Sequence, residues 1–176
     1  MLNKNHIQAL PDFFDRYIKI AADLPVVEMM QLSLDELFKT DLQNWDKIGD
    51  HVYAPGKWTI KEILQHLIDC ERIFAYRALT IARKDPQALL LFEEEEYAKN
   101  SNANSRELKE LMEEFICLRQ SNILLFRSMT NDMLLTPGSA VSGTKYSVLA
   151  IAYILHGHQR WHFQIIHDRY LPLIQV

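Results

Sequence analysis

The stretch WTIKEILQHLIDCERIFAYR, residues 58–77, decides the fold class of this protein. Its apolar side chains recur every three or four positions, which is the period of an amphipathic α-helix. Thr59 and Glu62 have the spacing of a capping box, and Trp58 stands before them at the position of a hydrophobic staple. The sequence therefore predicts a long helix that begins at Thr59 and ends near residue 83.

Three further helical segments surround this helix along the chain. Apolar residues recur at helical spacing over residues 11–45, with a break near Leu24-Pro25, over residues 104–129 and over residues 147–169. The connection over residues 84–104 is long enough to cross the length of a bundle. We therefore predict an all-α fold: a four-helix bundle with up-down-down-up topology and a long crossover between helices 2 and 3.

The composition fits one globular domain. The chain has 176 residues, of which 48% are hydrophobic and 24% charged, and we predict a single domain over residues 1–176. The net charge of −4 and the scattered Lys and Arg residues argue against a nucleic-acid partner. No apolar run approaches the roughly 20 residues of a membrane span. The N-terminus lacks a signal-peptide core, and Cys70 and Cys117 fit reduced thiols, so we expect a cytoplasmic protein.

Four of the seven histidines lie in the predicted last helix. On a helical wheel His158 and His162 fall one turn apart on its apolar face. His156 and His167 fall on the opposite side, toward solvent. Two neutral imidazoles buried at this spacing leave nitrogens without partners, at a cost of about 1–3 kcal/mol each, and two protonated ones repel. A shared divalent cation removes this conflict, because neutral imidazole is a common metal ligand.

A third ligand is predicted on the second helix. His66 stands seven residues after Thr59, and His162 stands seven residues before Arg169. In antiparallel helices both positions lie about 10 Å from the same end of the bundle, at a rise of 1.5 Å per residue. The sequence thus predicts a metal site formed by His66, His158 and His162, and histidines that are only hydrogen-bonded in the core are the alternative.

Two residues of the second helix have more than one interpretation. Cys70 is either a fourth metal ligand or a small core residue, and the core role is favoured. Glu71 lies in the apolar stripe, where an isolated carboxylate is costly. A buried pair of Glu71 with Arg119, beside Asn122, is favoured over a catalytic role for Glu71. The acidic run over residues 93–96 is expected to be a solvated face.

The predicted site has the character of a catalytic metal centre. Three histidine ligands leave a coordination position for water or substrate. An ion held in this way polarises a carbonyl or lowers the pKa of a bound water or thiol. The sequence has no His-Glu-x-x-His motif, no phosphate-binding glycine loop and no Gly-x-Ser-x-Gly turn. The general base is not identified, and Glu71 is the one candidate.

Two stretches resemble the two signatures of the DinB/YfiT-like superfamily. The first is residues 58–77, and the second is GHQRWHFQII, residues 157–166, followed by RYLP at residues 169–172. The resemblance extends from about residue 10 to the end of the chain. It implies an up-down-down-up four-helix bundle, often a homodimer, with a divalent metal such as zinc or nickel.

The resemblance also implies the ligands of that metal. The three histidines of the family pattern correspond to His66, His158 and His162. Many members carry another histidine directly after the last ligand, where this chain has Phe163. Phe163 is therefore not expected to bind the metal, and the three-histidine set is unaffected.

Several functions are compatible with this resemblance. Characterised branches include S-transferases and isomerases that use a low-molecular-weight thiol activated by the metal, and other members are stress-induced. We therefore predict a bacterial metal-dependent enzyme, a thiol-dependent S-transferase or a hydrolase, that acts on a small molecule. The alternative is a non-catalytic, metal-stabilised binding or assembly module in a stress response. A bundle whose histidines are merely packed is a third interpretation.

Overall fold

The computed structural model of the protein describes residues 2–174. Its α-helices are, in chain order, α1 (Asp15–Ile20), α2 (Val26–Phe38), α3 (Leu42–Asp46), α4 (Ile60–Ala82), α5 (Glu94–Asn100), α6 (Leu108–Arg127), α7 (Asn131–Leu135) and α8 (Val148–Ile165). An antiparallel hairpin of β1 (Pro137–Ser139) and β2 (Lys145–Ser147) leads directly into α8. After α8 the chain continues as a short π-helix, Ile166–Tyr170.

The four long helices α2, α4, α6 and α8 form a bundle. α4 packs against α6 and α8, and α2 packs against the same two helices, so α2 and α4 lie diagonally opposite. The starts of α4 and α6 meet where the hydroxyl of Thr59 donates to Asn104 (2.6 Å), so these helices are parallel. The hydroxyl of Tyr170, beyond the end of α8, donates to the carbonyl of Trp58 at the start of α4, so these two are antiparallel.

α2 and α8 run in the same direction. The hydroxyl of Tyr153, early in α8, donates to the carbonyl of Leu24 just before α2 (2.5 Å). Further along both helices, Ser33 donates to Gln159 (2.8 Å). Together with the directions of α4 and α6, this order is up-down-down-up and confirms the predicted topology. None of the helices within residues 2–174 is long and apolar enough to cross a membrane.

Local signals set the start of α4 as the sequence predicts. The hydroxyl of Thr59 accepts from the backbone N–H of Glu62, whose carboxylate accepts from the N–H of Thr59 (2.7 Å), which completes the capping box. The third bundle helix begins at Leu108 rather than at residue 104. Residues Ala103–Ser105 form a separate 3-10 turn, because the extended backbone of Arg106 separates it from α6.

The crossover over residues 84–104 has structure of its own. Leu89 forms a β-bridge with Ala140, next to the hairpin, and Val141 donates to the carbonyl of Leu89 (3.0 Å). Further along, α5 packs against α4. The acidic run is therefore the first turn of a helix that docks on the bundle. This position at a helix N-terminus is favourable for carboxylates, because they face the positive end of the helix dipole.

The last helix is enclosed on all sides over residues 148–159, which are all buried. α4 covers one side of α8, while α2 and the additional helix α1 cover others. The prediction that His156 faces solvent is wrong for this reason, since a wheel with one buried face does not anticipate α1. His156 is fully buried and its Nε2 lies 3.4 Å from a carboxylate oxygen of Glu36. His167 is exposed, as predicted.

Candidate metal centre

The three histidines singled out by the sequence converge at the antiparallel contact of α4 and α8. The Nε2 atom of His158 lies 3.1 Å from the Nε2 of His66 and 3.1 Å from the Nε2 of His162. The rings of His66 and His162 are 5.0 Å apart between centroids. His158 is thus within 3.1 Å of both other imidazoles, and the rings of all three histidines are neighbours.

The three imidazoles are neutral near pH 7. Burial lowers the pKa of His66 to about 4. Burial also lowers the pKa of His162 to about 3, with smaller contributions from His66 and from the charge of Arg16. Burial, followed by the proximity of the other two imidazoles, holds the pKa of His158 well below its usual range. Each ring therefore keeps a lone pair, which is the form of histidine that binds a metal ion.

The cluster by itself leaves polar atoms unsatisfied. A neutral imidazole carries one N–H, so the Nε2 of His158 cannot form a good hydrogen bond with both neighbours at once. The Nδ1 of His162 is buried and has no hydrogen-bond partner within residues 2–174. Nitrogens that bind one ion at about 2.1 Å lie about 3.0–3.4 Å apart at octahedral and tetrahedral angles. The two separations to His158, both 3.1 Å, fall in this range and are compatible with a divalent metal.

Cys70 belongs to the same cluster. Its Sγ lies 3.7 Å from both ring nitrogens of His66, and potential ligand atoms of His66, Cys70 and His158 lie within 4.8 Å of one another. Burial, reinforced by nearby carboxylates, raises the pKa of the Cys70 thiol well above its usual range. The thiol is also part of the core, with 1% of its surface exposed. The group of His66, Cys70 and His158 is compatible with metal binding.

Two aromatic side chains enclose the cluster, and neither was recognised from the sequence. The ring of Trp58 lies 4.7 Å from that of His66 and is nearly parallel to that of His162. On the other side, the ring of Tyr17 lies 4.9 Å from that of His158. Both contacts restrict the orientation of an imidazole. Trp58 precedes a helix cap, and only its neighbourhood in space reveals this second role.

The acidic start of α5 reaches the edge of the site. A carboxylate oxygen of Glu95 accepts from the indole N–H of Trp58 (3.2 Å), and a cavity of about 180 Å³ reaches His162 between Trp58, Glu95 and Tyr170. Burial raises the pKa of Glu94. All four glutamates of the run remain exposed, so the expected solvated face is confirmed. Glu95 in addition borders the opening beside His162.

Glu71 is occupied by a structural network. Arg119 donates from Nε (2.6 Å) and Nη2 (2.5 Å) to the two oxygens of the Glu71 carboxylate, and Asn122 adds a third hydrogen bond (3.0 Å). Only 1% of the surface of Glu71 and of Arg119 is exposed. Arg119 also donates to Ser33, which links α4 and α6 to α2. The predicted buried pair is confirmed, and its bonds hold the carboxylate away from a catalytic role.

Phe163 takes part in packing, as the departure from the family pattern suggests. Its ring meets that of Trp45 edge to face, with centroids 5.0 Å apart. The residue lies among the side chains that pack on the second core cluster, which contains Leu37, Ile63 and Tyr170. Its side chain adds hydrophobic contact between α8 and α3.

Sequence comparison identifies the family. The model of the DinB superfamily matches residues 32–166 of this chain. The protein therefore belongs to the DinB superfamily, and the resemblance noted in its two signature stretches is confirmed. A search of curated proteins gives no significant sequence match.

Structural comparison agrees with this assignment. YfiT from Bacillus subtilis, described as a probable metal-dependent hydrolase with an unusual four-helix bundle topology, superposes with a TM-score of 0.65. The match covers 91% of this chain and 86% of YfiT at 16% sequence identity. At that identity the likeness establishes the shared fold, and the function has to be argued from the residues of this chain.

Proposed function

We propose that His66, His158 and His162 bind one divalent metal ion and that the protein is a metal-dependent enzyme acting on a small molecule. The observation that carries this proposal is the convergence of three neutral imidazoles, with Nε2 separations of 3.1 Å to His158. Zinc and nickel are the metals we favour, because both accept neutral imidazole ligands. The description of YfiT as a probable metal-dependent hydrolase is consistent with this proposal.

The residues of this chain prepare the site for either of two reactions. When bound, the ion would supply a Lewis acid that polarises a carbonyl or activates a water or a low-molecular-weight thiol. Trp58 and Tyr17 pack against the imidazoles and restrict their orientation. The cavity at His162 leaves access from one direction. Hydrolysis and thiol transfer are therefore the reactions we propose to test.

Cys70 favours a second candidate function. If its thiolate were to complete the coordination of the ion, the site would resemble a closed structural site rather than a catalytic one. The protein would then be a metal-stabilised binding or assembly module. We favour three-histidine coordination, with Cys70 as a small core residue beside it. A homodimer and a cytoplasmic location complete the proposal.

The metal content of untagged protein, measured by plasma mass spectrometry, tests the site. We expect about one equivalent of zinc or nickel per chain and almost none in His158→Ala. His167→Ala is the matched control, since it removes an exposed imidazole from the segment that follows the same helix. Equal background metal in all three proteins after dialysis against both ions would refute the site.

Activity of the metal-loaded protein separates the two functions. Panels of small esters and amides test hydrolysis, and electrophiles offered together with a small thiol test S-transfer. We expect turnover in one panel that requires the metal and is lost in His158→Ala. A folded, metal-loaded protein with no turnover in either panel, whose thermal stability falls on metal removal, would favour the binding module.

A further inference from the structure

An arginine lies beside the proposed metal centre without a salt bridge to any residue in the part of the chain that the structure describes. Arg16 of α1 places its guanidinium 3.7 Å from the ring centroid of Phe13 and 5.1 Å from that of Tyr17. The ring of Trp161 lies 5.4 Å away on the third side. These contacts are cation–π interactions, and they hold the planar group in a fixed orientation.

The hydrogen-bonding capacity of Arg16 is incompletely used. Its Nε is buried and has no hydrogen-bond partner within residues 2–174, and no salt bridge to Arg16 occurs in that part of the chain. A guanidinium carries five N–H donors and a permanent charge, so burying part of it without an anion costs free energy. Arg106 and Arg160, which are also partly buried, are paired with carboxylates, whereas the buried Arg77 donates to the carbonyl of Leu90.

The position of Arg16 connects it to the metal centre. The next residue, Tyr17, contacts the ring of His158, and Trp161 directly precedes His162. Arg16 therefore contacts both the ring that packs on His158 and the ring of the residue that directly precedes His162, so one aromatic side chain separates its guanidinium from the proposed centre.

We propose that Arg16 binds the carboxylate of a small-molecule substrate whose reacting end lies at the His66, His158 and His162 centre. The inference rests on the proposed function and adds the substrate class to it. A guanidinium matches a carboxylate in shape and can donate two parallel hydrogen bonds to it. Arg16 would then be a specificity-determining residue that orients the substrate toward the ion.

Glu94 narrows the class of anion. It is the first residue of α5 and precedes Glu95, whose carboxylate accepts from the indole of Trp58 at the edge of the site. The negative charge of Glu94 therefore limits the net positive potential at this place. A dianion such as a phosphate monoester would be repelled more strongly than a singly charged carboxylate. A monoanionic, carboxylate-bearing substrate is the class that both residues fit.

The test uses a matched pair of probes on the Co²⁺-loaded protein. The probes are 2-mercaptoacetate and its neutral amide, 2-mercaptoacetamide, and binding is followed by the visible absorption of the ion. We expect Arg16→Gln to lower the preference for the acid over the amide by about tenfold, the size of one lost charge-assisted hydrogen bond. The intrinsic difference between the two thiols is the same in both proteins and cancels.

Two further variants make the result decisive. Arg72→Gln removes one positive charge from the outer face of α4 and is expected to leave the preference unchanged. Glu94→Gln is expected to strengthen the binding of the acid several-fold and to leave the binding of the amide unaffected.

The inference alone is overturned if Arg16→Gln still binds one Co²⁺ and shows an unchanged preference for the acid over the amide. If Arg16→Gln does not fold, an unchanged acid affinity in Glu94→Gln overturns it. Failure of the wild type to bind Co²⁺ would instead overturn the proposed function on which the inference rests.

Discussion

Gly157 in α8 lies directly against the backbone carbonyl of Tyr17 in α1. A Cβ atom at position 157 would stand 1.8 Å from that oxygen, far inside van der Waals contact. Only glycine permits this approach, which brings α1 onto α8 and sets the ring of Tyr17 4.9 Å from that of His158. One missing side chain therefore allows an additional helix to enclose the proposed metal centre.

Gly157→Ala tests this contact. The added methyl group meets backbone atoms that cannot rotate away, so α1 has to shift, and we expect a loss of about 1–3 kcal/mol in the free energy of unfolding. Urea denaturation measures the loss, and near-UV circular dichroism reports the displaced Tyr17. Gly49→Asn is the control, because nothing lies within 4 Å of that position and Asn tolerates its positive φ. Equal stability of both variants would contradict the packing described here.

The buried pair of Glu71 and Arg119 has a structural role that can be separated from catalysis. Arg119→Met leaves the Glu71 carboxylate buried without its cation, and we expect it to cost about 3–5 kcal/mol of stability. The double variant Glu71→Leu/Arg119→Met removes both charges and should be less destabilised than Arg119→Met alone. Denaturant titration gives both values. Metal content should remain at the wild-type level in any variant that folds, and its selective loss in a folded variant would refute the structural role.

The metal-free protein should lose stability as the solution becomes acidic. The folded-state pKa of His66 is about 4 and its unfolded value is near 6.5, so the unfolded chain binds the proton more readily. Stability from this residue is therefore present above pH 6.5 and declines as the pH falls toward 4. We expect a loss of about 2 kcal/mol between pH 7 and pH 5 from His66 alone. Urea titrations at the two pH values, with His66→Gln as control, measure it. A loss of equal size in the control would contradict the assignment.

Cys70→Ala distinguishes an open metal site from a closed one. Three histidines suffice to hold the ion, so we expect unchanged metal stoichiometry and a Co²⁺ spectrum without a sulfur-to-cobalt charge-transfer band in both proteins. Stability should fall by about 1 kcal/mol, because a small buried side chain is shortened. Cys117→Ala, at an exposed position, serves as the control. A charge-transfer band in the wild type that disappears only in Cys70→Ala would establish a fourth ligand.

The parts of the fold that were predictable depend on interactions between near neighbours in the chain. A capping box joins residues three positions apart, so Thr59 and Glu62 predict the start of α4 without any tertiary contact. The apolar period likewise identifies the bundle helices, and the i,i+4 spacing of His158 and His162 places them on one face. His66 could be predicted as a neighbour of His162 because regular helices have a fixed rise per residue. Two residues equally far from the same end of a pair of antiparallel helices therefore lie at the same height.

Contacts between segments that are distant in the chain determine which side chains surround the three histidines. The burial of His156 follows from the packing of α2 and α1 on α8, and no periodicity in α8 reveals those neighbours. Three separate parts of the chain meet around the proposed metal centre: Trp58, Arg16 and the acidic start of α5. The sequence pattern predicts which residues of a helix face the core. The residues that they contact there depend on how the helices pack. The sequence alone thus determined the bundle and the three histidines proposed as ligands, and the tertiary structure decided which side chains enclose them.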